Sequence, residues 1–358
     1  MTLPTSGPIT AAMINGELGR AANAPFSLND PDVRALAGIA TGPISFADFY
    51  GKSSEIVVNL TSVASIDRMD MLFSAEDWAS ETTKRIIVPA GTELGHTTRN
   101  YAIAVGLTSG GQAGSFGGRL ILENRGIISG KAGAANSGVG GNAVYANLLG
   151  RDGQMLEIIN SGTIRGGGGG GGVGGTGGGG YYDTPTTVRE PASGELGQAG
   201  VYQWYHNGPA VRIWWNGTMI YDAQPGAGIT QLTTGGWTYF RGTSFGPSAY
   251  RIYRQQTTNV RTNTNGGAGG AGGQGQGYGV AAGAGSNGAA GGTNAGAGGR
   301  GGDGGGWGEN GAAGATGVAG NRTAGAGGAA GGLAGAYVDG ASRVSWVATG
   351  TRQGRAIN

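Results

Sequence analysis

Between Gly296 and Gly320 glycine stands at every third position, through Gly299, Gly302, Gly305, Gly308, Gly311, Gly314 and Gly317. A left-handed helix of three residues per turn places all of these on one face. Collagen shares the period but needs proline between its glycines, and no proline follows Pro247. A flexible linker needs no register, and it rarely carries residues such as Trp307, Val318, Leu333 or Tyr337. The favoured reading is a bundle of packed polyglycine II helices, with a linker as the alternative. In such a bundle the backbone N–H and C=O groups find no partner within a helix and pair between neighbours. Interior glycine is then a steric requirement, while Ala, Asn and Gln suit the outer faces. The register slips between residues 281 and 295, where Ser286-Asn287-Gly288 and Thr293-Asn294 read as turns. The run Arg165 to Gly180 supplies one more helix to the same bundle. A bundle of this kind is rigid, has almost no side-chain core and presents its connecting loops at its ends.

The rest of the composition excludes several function classes. Glycine makes up 83 of 358 residues, and the formal net charge is +2 from 23 basic and 21 acidic residues. So even a balance points neither to nucleic acid nor to an acidic membrane. With no cysteine, a disulfide framework and a thiolate metal site are ruled out, and two histidines argue against a multi-histidine metal site. No metal and no cofactor are expected. The first residues carry neither a basic nor an apolar stretch, so no secretory signal is expected. No apolar run approaches the roughly 20 residues of a membrane span.

The pattern divides the chain. Residues 1–54 read as a small module. Asp30-Pro31 and Gly38 bracket a short helix, and Ser45 with Asp48 suits a capping box. Gly7-Pro8-Ile9-Thr10 and Gly42-Pro43-Ile44-Ser45 look like one helix-starting phrase used twice. Residues 55–165 are β-branched and rich in short strands, with Ser74 capping one helix through Trp78. Leu122 to Gly130 aligns with Ile158 to Gly166, 36 residues later; each has Asn-x-Gly between apolar pairs, which suits a tight turn. A solenoid-like stack is the natural architecture for such units. A glycine tract fills 166–180, an aromatic segment 181–264, the long glycine tract 265–336 and a β-like tail 337–358. The fold class is therefore mainly β with little helix. It combines an N-terminal module, a solenoid-like segment, packed polyglycine II helices and an inserted antiparallel β domain.

The residues also carry a resemblance. Leu3 to Thr10, Asn15 to Gly19, Ser27 to Asp30, Val33 to Gly38 and Ile44 to Lys52 resemble the N-terminal module of many tailed-bacteriophage fibre and tail-tip proteins. The Asn-x-Gly units and the ending Val344 to Arg352 look like the distal parts of phage central tail fibres. The glycine-rich region is similar in kind to the distal adhesins of T-even-like phages. The resemblance implies a non-enzymatic tail fibre or adhesin, a virion component assembled in the host cytoplasm. Residues 1–54 would attach it to tail-tip or baseplate proteins, with Leu18, Val33, Arg34, Leu36, Phe46, Phe49 and Tyr50 as the residues expected to carry that contact. The other end would meet a host cell-surface glycan or outer-membrane protein. Fibres of this kind are usually homotrimers. A polyglycine bundle can also be complete within one chain, so both arrangements stay open.

The aromatic segment offers the candidate receptor-binding residues Trp204, Tyr205, His206, Trp214, Trp215, Arg251 and Arg254, to which Trp307 of the glycine tract is added. Aromatic rings stack on sugars, and arginine pairs with carboxylate or phosphate. The plainer reading is that most of these rings form the core of a domain poor in leucine. Val211 to Tyr221 reads as a hairpin turning at Asn216-Gly217, and Ala249 to Arg254 alternates as a strand. Catalytic chemistry is hard to find. Glycan cleavage needs two carboxylates about 5–9 Å apart. The nearest pairs, Asp67 with Asp70 and Glu76 with Asp77, read as solvated charge. His96 reads as a loop residue, and a purely structural tail-tip subunit or a glycan-degrading tailspike are the alternatives.

Overall fold

The computed structural model describes residues 3–60, 68–105, 116–146, 154–191, 203–207, 210–215, 218–223, 230–246 and 249–358. They form two compact units, Met1–Gly180 with Asn265–Asn358, and Tyr181–Thr264. Strand dominates and helix is scarce, which is the mainly β class expected.

The N-terminal module holds α1 (Ala11–Glu17), α2 (Pro31–Ala37) and a 3-10 turn (Phe46–Phe49). The repeated phrase starts two of them. Thr10 caps α1 by accepting from the Met13 amide, and Ser45 with Asp48 makes a reciprocal box before Phe46. Pro31 opens α2 and Gly38, at φ +75°, ends it. Asp30 takes the N-cap position, but its carboxylate is drawn to Arg20 at 3.0 Å instead of the helix amides. Leu3, Ile14, Val33, Leu36 and Phe49 are the core of the module.

A three-faced parallel solenoid follows. Strand β1 (Glu55–Asn59) and α3 (Ala75–Ala79) precede it, and Ser74 caps α3 by accepting from the Asp77 amide, which sets Trp78 into the core. The first coil is β2 (Thr83–Val88), β3 (Glu93–Gly95) and β4 (Tyr101–Ala104). The second is β5 (Leu120–Asn124), β6 (Ile127–Ser129) and β7 (Asn142–Tyr145). The third opens with β8 (Leu156–Asn160) and β9 (Thr163–Arg165). The 36-residue echo is the coil length: Leu122 pairs in register with Ile158, and Ile128 with Ile164. The Asn-x-Gly corner does not close a hairpin. The strands it joins pair with their counterparts in the next coil, because side chains facing inward from three sheets share one core. Asn124 and Asn160 are buried at that corner and stack, Asn124 Nδ2 donating to Asn160 Oδ1 at 2.8 Å. On the outer face Arg85 bridges Glu55 (2.6 Å) and Glu123 (2.8 Å), and it holds the Glu55 carboxyl below its ordinary range.

The same corner of each coil, between its second and third strands, carries an excursion: residues 96–100, then 130–141, then 166–335. The last of these, outside 181–264, is the glycine bundle. Segment 166–180 runs through its centre. Gly168, Gly171, Gly174 and Gly177 donate to segment 265–277, from Gln276 down to Gly267, at 2.7–2.9 Å. Gly169, Gly172, Gly175 and Gly178 donate to segment 309–320 at 2.8–3.0 Å. Segments 295–306 and 323–335 donate back to it with the same three-residue step, and segment 280–291 packs outside 265–277. This is the period and the pairing between neighbouring helices of a polyglycine II bundle. The 130–141 excursion contributes two short neighbours: Gly133 donates to Gly168, and Gly170 to Gly138. It turns back at Asn136 and Ser137, both at positive φ. A Cβ on Gly167 or Gly170 would lie 1.8 Å from the carbonyl oxygen of Lys131 or Ala134. Beyond that turn the same face of the central segment is open, and there the sequence carries Val173 and Thr176.

Two expectations about the turns need correction. Ser286-Asn287-Gly288 is not a turn: it lies within segment 280–291, where the Ser286 amide donates to Ala271 and its carbonyl accepts from Gly301. A turn does occur at Gly306–Glu309, in the middle of the unbroken register, because Gly308 at φ +67° reverses the chain without losing phase. The Thr293-Asn294 turn is present, with Asn294 at φ +60°.

The second unit is an antiparallel sheet among the described residues. Its strands are β10 (Gly180–Pro191), β11 (Gln203–Asn207), β12 (Ala210–Trp215), β13 (Thr218–Ala223), β14 (Gln231–Thr234), β15 (Trp237–Gly246) and β16 (Ala249–Thr264). Their order is β13-β12-β11-β16-β15-β14, with β10 also on β16. β12 and β13 pair up to Trp215 and Thr218; the expected turn Asn216-Gly217 between them lies outside the described residues.

The chain then returns to the solenoid. Strand β17 (Ala336–Asp339) completes the third coil beside β7, and β18 (Val344–Ala348), β19 (Thr351–Gln353) and β20 (Arg355–Ile357) form a fourth. The segment read as a β-like tail is thus part of the solenoid. The three sheets are β1-β2-β5-β8-β18, β3-β6-β9-β19 and β4-β7-β17-β20.

Candidate functional site

The bundle has two unlike ends, and the sequence does not say which turns lie where. At the solenoid end the turns are Gly277–Val280 and Gly306–Glu309. Each carries one aromatic residue, and each ring is used against the second solenoid sheet. Tyr278 lies across Gly95 of β3, where a Cβ would meet its ring at 2.3 Å. Trp307 lies under the Arg165 guanidinium, 3.7 Å from the ring centre. Arg165 is in turn held by Ser129 Oγ (2.8 Å) and the Glu93 carboxylate (2.9 Å). Trp307, a candidate receptor residue by sequence, is therefore half-buried at the solenoid end. Trp307→Ala is expected to lower the unfolding free energy by about 2 kcal/mol, from lost ring burial and the cation–π contact. Denaturant unfolding checks this, and adsorption to cells should be unchanged.

At the opposite end Thr293-Asn294 and Asn321-Arg322-Thr323 meet. The Asn321 amide donates to Asn294 O at 3.0 Å, and the amides of Arg322 and Thr323 both reach Gly179 O at 3.1 Å. Thr323 Oγ1 accepts from the Gly179 amide at 2.7 Å. Gly180 and Asn265, between which the second unit is spliced, also lie at this end: Gly180 faces Asn294, and Asn265 O accepts from Gly292. Arg322 is exposed, and its side chain has no bonded partner among the described residues. The Asn321–Thr323 turn was missed by sequence. Its signal was the lapse of the glycine register after Gly320.

In the second unit, Trp204, Tyr205 and His206 lie on β11, Trp214 and Trp215 on β12, and Arg251 and Arg254 on β16. The register sets Gln203 between Trp214 on one side and Arg251 on the other, and Trp204 between Ile213 and Tyr250. The side chains of Trp204, Tyr205, His206, Trp214, Trp215 and Arg251 lie outside the described residues. Arg254 covers Trp237 at 3.8 Å, Arg189 covers Tyr253 at 3.8 Å, and Phe240 stacks on Tyr253 at 5.0 Å. Tyr239 is buried. Arg212 faces Asp222 at 3.3 Å, and Arg261 pairs with Asp183 at 2.9 Å while covering Tyr181. These described rings and cations serve one another within the sheet.

The attachment candidates fall into two sets. Val33, Leu36 and Phe49 are buried in the module core. Leu18 and Leu36 line a groove of about 390 Å³ that also touches Ser80 to Thr83 of the solenoid. Arg34 is spent on local carbonyls and Asn29. Phe46 (39% exposed) and Tyr50 (43%) face solvent with Met13. Phe46 is backed by Phe26 at 5.8 Å, and the Tyr50 hydroxyl donates to Gly7 O at 2.6 Å. Of the carboxylate pairs, Asp67 lies outside the described residues and Asp70 is held by Arg68 at 2.9 Å. Glu76 and Asp77 sit on the first turn of α3. His96 Nδ1 accepts from the Thr98 and Arg99 amides in its own loop.

A family model described as phage tail fibre adhesin Gp38 matches residues 55–250, which hold the solenoid strands β1 to β9, the central glycine segment and most of the second unit. No curated protein matches the chain. A solved structure is similar: the crystal structure of the gp37-gp38 adhesin tip complex of the bacteriophage S16 long tail fiber. It is 16% identical with a TM-score of 0.30, over 98% of this chain and 99% of that one. Matched over more than half its length, the chain belongs to the Gp38 family of phage tail fibre adhesins.

Proposed function

We propose that this adhesin is a non-enzymatic virion component that recognises the host bacterial surface through the end of the glycine bundle remote from the solenoid. The 181–264 unit, spliced in at that end, takes part. The observation that carries the reading is the convergence of Thr293-Asn294, Asn321-Arg322-Thr323 and the Gly180/Asn265 splice at one end of a backbone-bonded bundle. Each turn leaves and re-enters a segment fixed by hydrogen bonds to neighbouring segments, so its residues can vary without disturbing the scaffold. The N-terminal module attaches the chain to another tail protein, with Phe46, Tyr50 and Met13 as its exposed apolar contacts. The buried Val33, Leu36 and Phe49 shape that surface from beneath. The central segment finds six neighbours along 167–171 and four beyond, all within one chain, so the bundle itself asks for no threefold partner. Assembly in the host cytoplasm and incorporation into the tail complete the reading.

The test is competition for phage adsorption by purified protein. The intact chain should block adsorption. A chain with 181–264 replaced by a short linker should lose most of that activity while keeping its solenoid and bundle. If the shortened chain blocks as well as the intact one, recognition lies in the turns alone, and Arg322→Ala with Asn321→Ala should then remove it. If the intact folded chain never competes, the chain is a structural part of the tail tip.

A further inference from the structure

The third solenoid sheet carries a groove of about 440 Å³, within the size range of small-molecule sites. It is lined by Asn100, Tyr101, Asn142, Tyr145, Asp339 and Arg355 among others. Strands β4, β7, β17 and β20 supply five of the six, and Asn100 comes from the short corner loop of the first coil. The Tyr101 and Tyr145 rings stack at 5.6 Å. Asn142 is engaged at both ends of its amide: Oδ1 accepts from the Ala336 amide at 2.8 Å and Nδ2 donates to the Asp339 carboxylate at 2.8 Å. It therefore holds that carboxylate in place. Asp339 is half-buried, and burial pushes its carboxyl above the ordinary range.

The groove also holds unused bonding capacity. Among the described residues, the side-chain amide of Asn100, the hydroxyl of Tyr101 and the guanidinium of Arg355 have no protein partner. Arg355 and Asp339 share the groove without forming an ion pair. An anchored carboxylate, a separate guanidinium, a planar amide and two aromatic rings make an unusual set for a solenoid flank. Carboxylate and amide groups hydrogen-bond sugar hydroxyls, aromatic rings cover the apolar face of a pyranose, and guanidinium pairs with carboxylate.

We propose that this groove binds a saccharide unit bearing a carboxylate, of the uronic-acid type. Arg355 takes the acid group, Asp339 and Asn100 take ring hydroxyls, and Tyr101 with Tyr145 supplies the apolar wall. The site lies on the solenoid and is independent of the receptor reading above.

The test uses the full chain and two probes that differ only at the acid group, methyl β-glucuronide and methyl β-glucoside, titrated by ligand-observed NMR. The glucuronide should bind with a Kd of about 1 mM, typical of one small ligand with few contacts, and at least about fivefold tighter than the glucoside. Arg355→Ala, at an exposed position, should bring the two probes level, and Arg355→Lys should restore part of the preference. Tyr101→Ala should weaken both about tenfold. Replacing 181–264 by a linker should change neither. Equal binding of the two probes by the native chain overturns the proposal. So does a preference that survives Arg355→Ala, or no binding of either probe at about 50 mM by the folded protein, far above a Kd of that order.

Discussion

Replacing Gly171 by alanine is expected to melt the glycine bundle at temperatures where the native bundle is intact. The same change at Gly327 is expected to leave the melting temperature unchanged or raise it. The two glycines differ only in what surrounds them. A Cβ on Gly171 would lie 1.9 Å from Gly302 O and 2.5 Å from its carbonyl carbon, with Asp303 O at 2.9 Å. Those are backbone atoms in a segment hydrogen-bonded on several sides, so no rotamer can move them away. The segments must separate, and the hydrogen bonds from Gly171 to Gly273 and from Gly302 to Gly172 stretch together. Unmade bonds to buried backbone groups cost about 1–3 kcal/mol each, so for these two a loss of about 4 kcal/mol is expected. In a unit of this size that lowers the melting temperature by about 10 °C. Gly327 has nothing within 4 Å of its Cβ position. There alanine only restricts the unfolded chain and should add up to about 0.5 kcal/mol. Calorimetry on both variants checks the pair. Equal losses would mean that glycine serves the bundle through something other than close approach.

That contrast also explains why the bundle was legible in the sequence while its ends were not. Close packing of backbones forbids side chains at fixed phases, and this prohibition is written directly as glycine at every third position. The central segment shows it most fully, since Val173 and Thr176 appear only where the 130–141 excursion no longer covers that face. Direction is another matter. A turn such as Gly306–Glu309 reverses the chain without breaking phase, so Trp307 looked like one more residue of a continuous helix. Only its place under Arg165 shows that it anchors the bundle to the solenoid.

The solenoid was readable for a similar reason. Ile86, Leu122 and Ile158 stack in one inward column, and Leu94, Ile128 and Ile164 in another. Apolar residues must recur where coils stack, so the repeat shows in sequence. The fourth coil hides it: Arg352 stands level with Ile164, and Trp346 level with Ile158. There the column ends, and Arg352 closes it by lying over Tyr337 and Trp346 at about 5 Å. An exposed arginine at the end of the column carries no apolar signal, which is why residues 337–358 read only as a β-like tail. The candidate receptor residues were chosen by type. Type does not distinguish a ring that meets a ligand from one such as Trp237, which meets Arg254.

Lys84 to methionine should be the most damaging single change in the solenoid, about 3–5 kcal/mol by denaturant unfolding, although methionine matches its length and suits its apolar neighbours. Lys84 is fully buried, in the column that runs on through Leu120, Leu156 and Val344. Its ammonium donates to Thr82 O (2.9 Å), Gly117 O (2.8 Å) and Ser80 O. Those carbonyls turn inward because the chain at residues 80–82 and at Gly117-Gly118 crosses at backbone contact distance. Methionine fills the volume and leaves three acceptors without a donor, and burying an unmade acceptor costs more than burying a methylene returns. The charge leaves a separate trace. Burial lowers the Lys84 pKa, against the pull of Glu81 and Asp77. Between the lowered folded value and the unfolded value of about 10.4 the unfolded chain binds more protons, so native stability rises with pH through that window. It falls again as pH drops through the folded value, below which this contribution is flat. The deficit of the methionine variant should therefore widen as pH is raised toward the unfolded value of about 10.4, where the native protein gains and the variant has no such group to titrate. A deficit that is large but constant over that range would mean that the ammonium keeps its ordinary pKa, its three carbonyls compensating for the water it has lost.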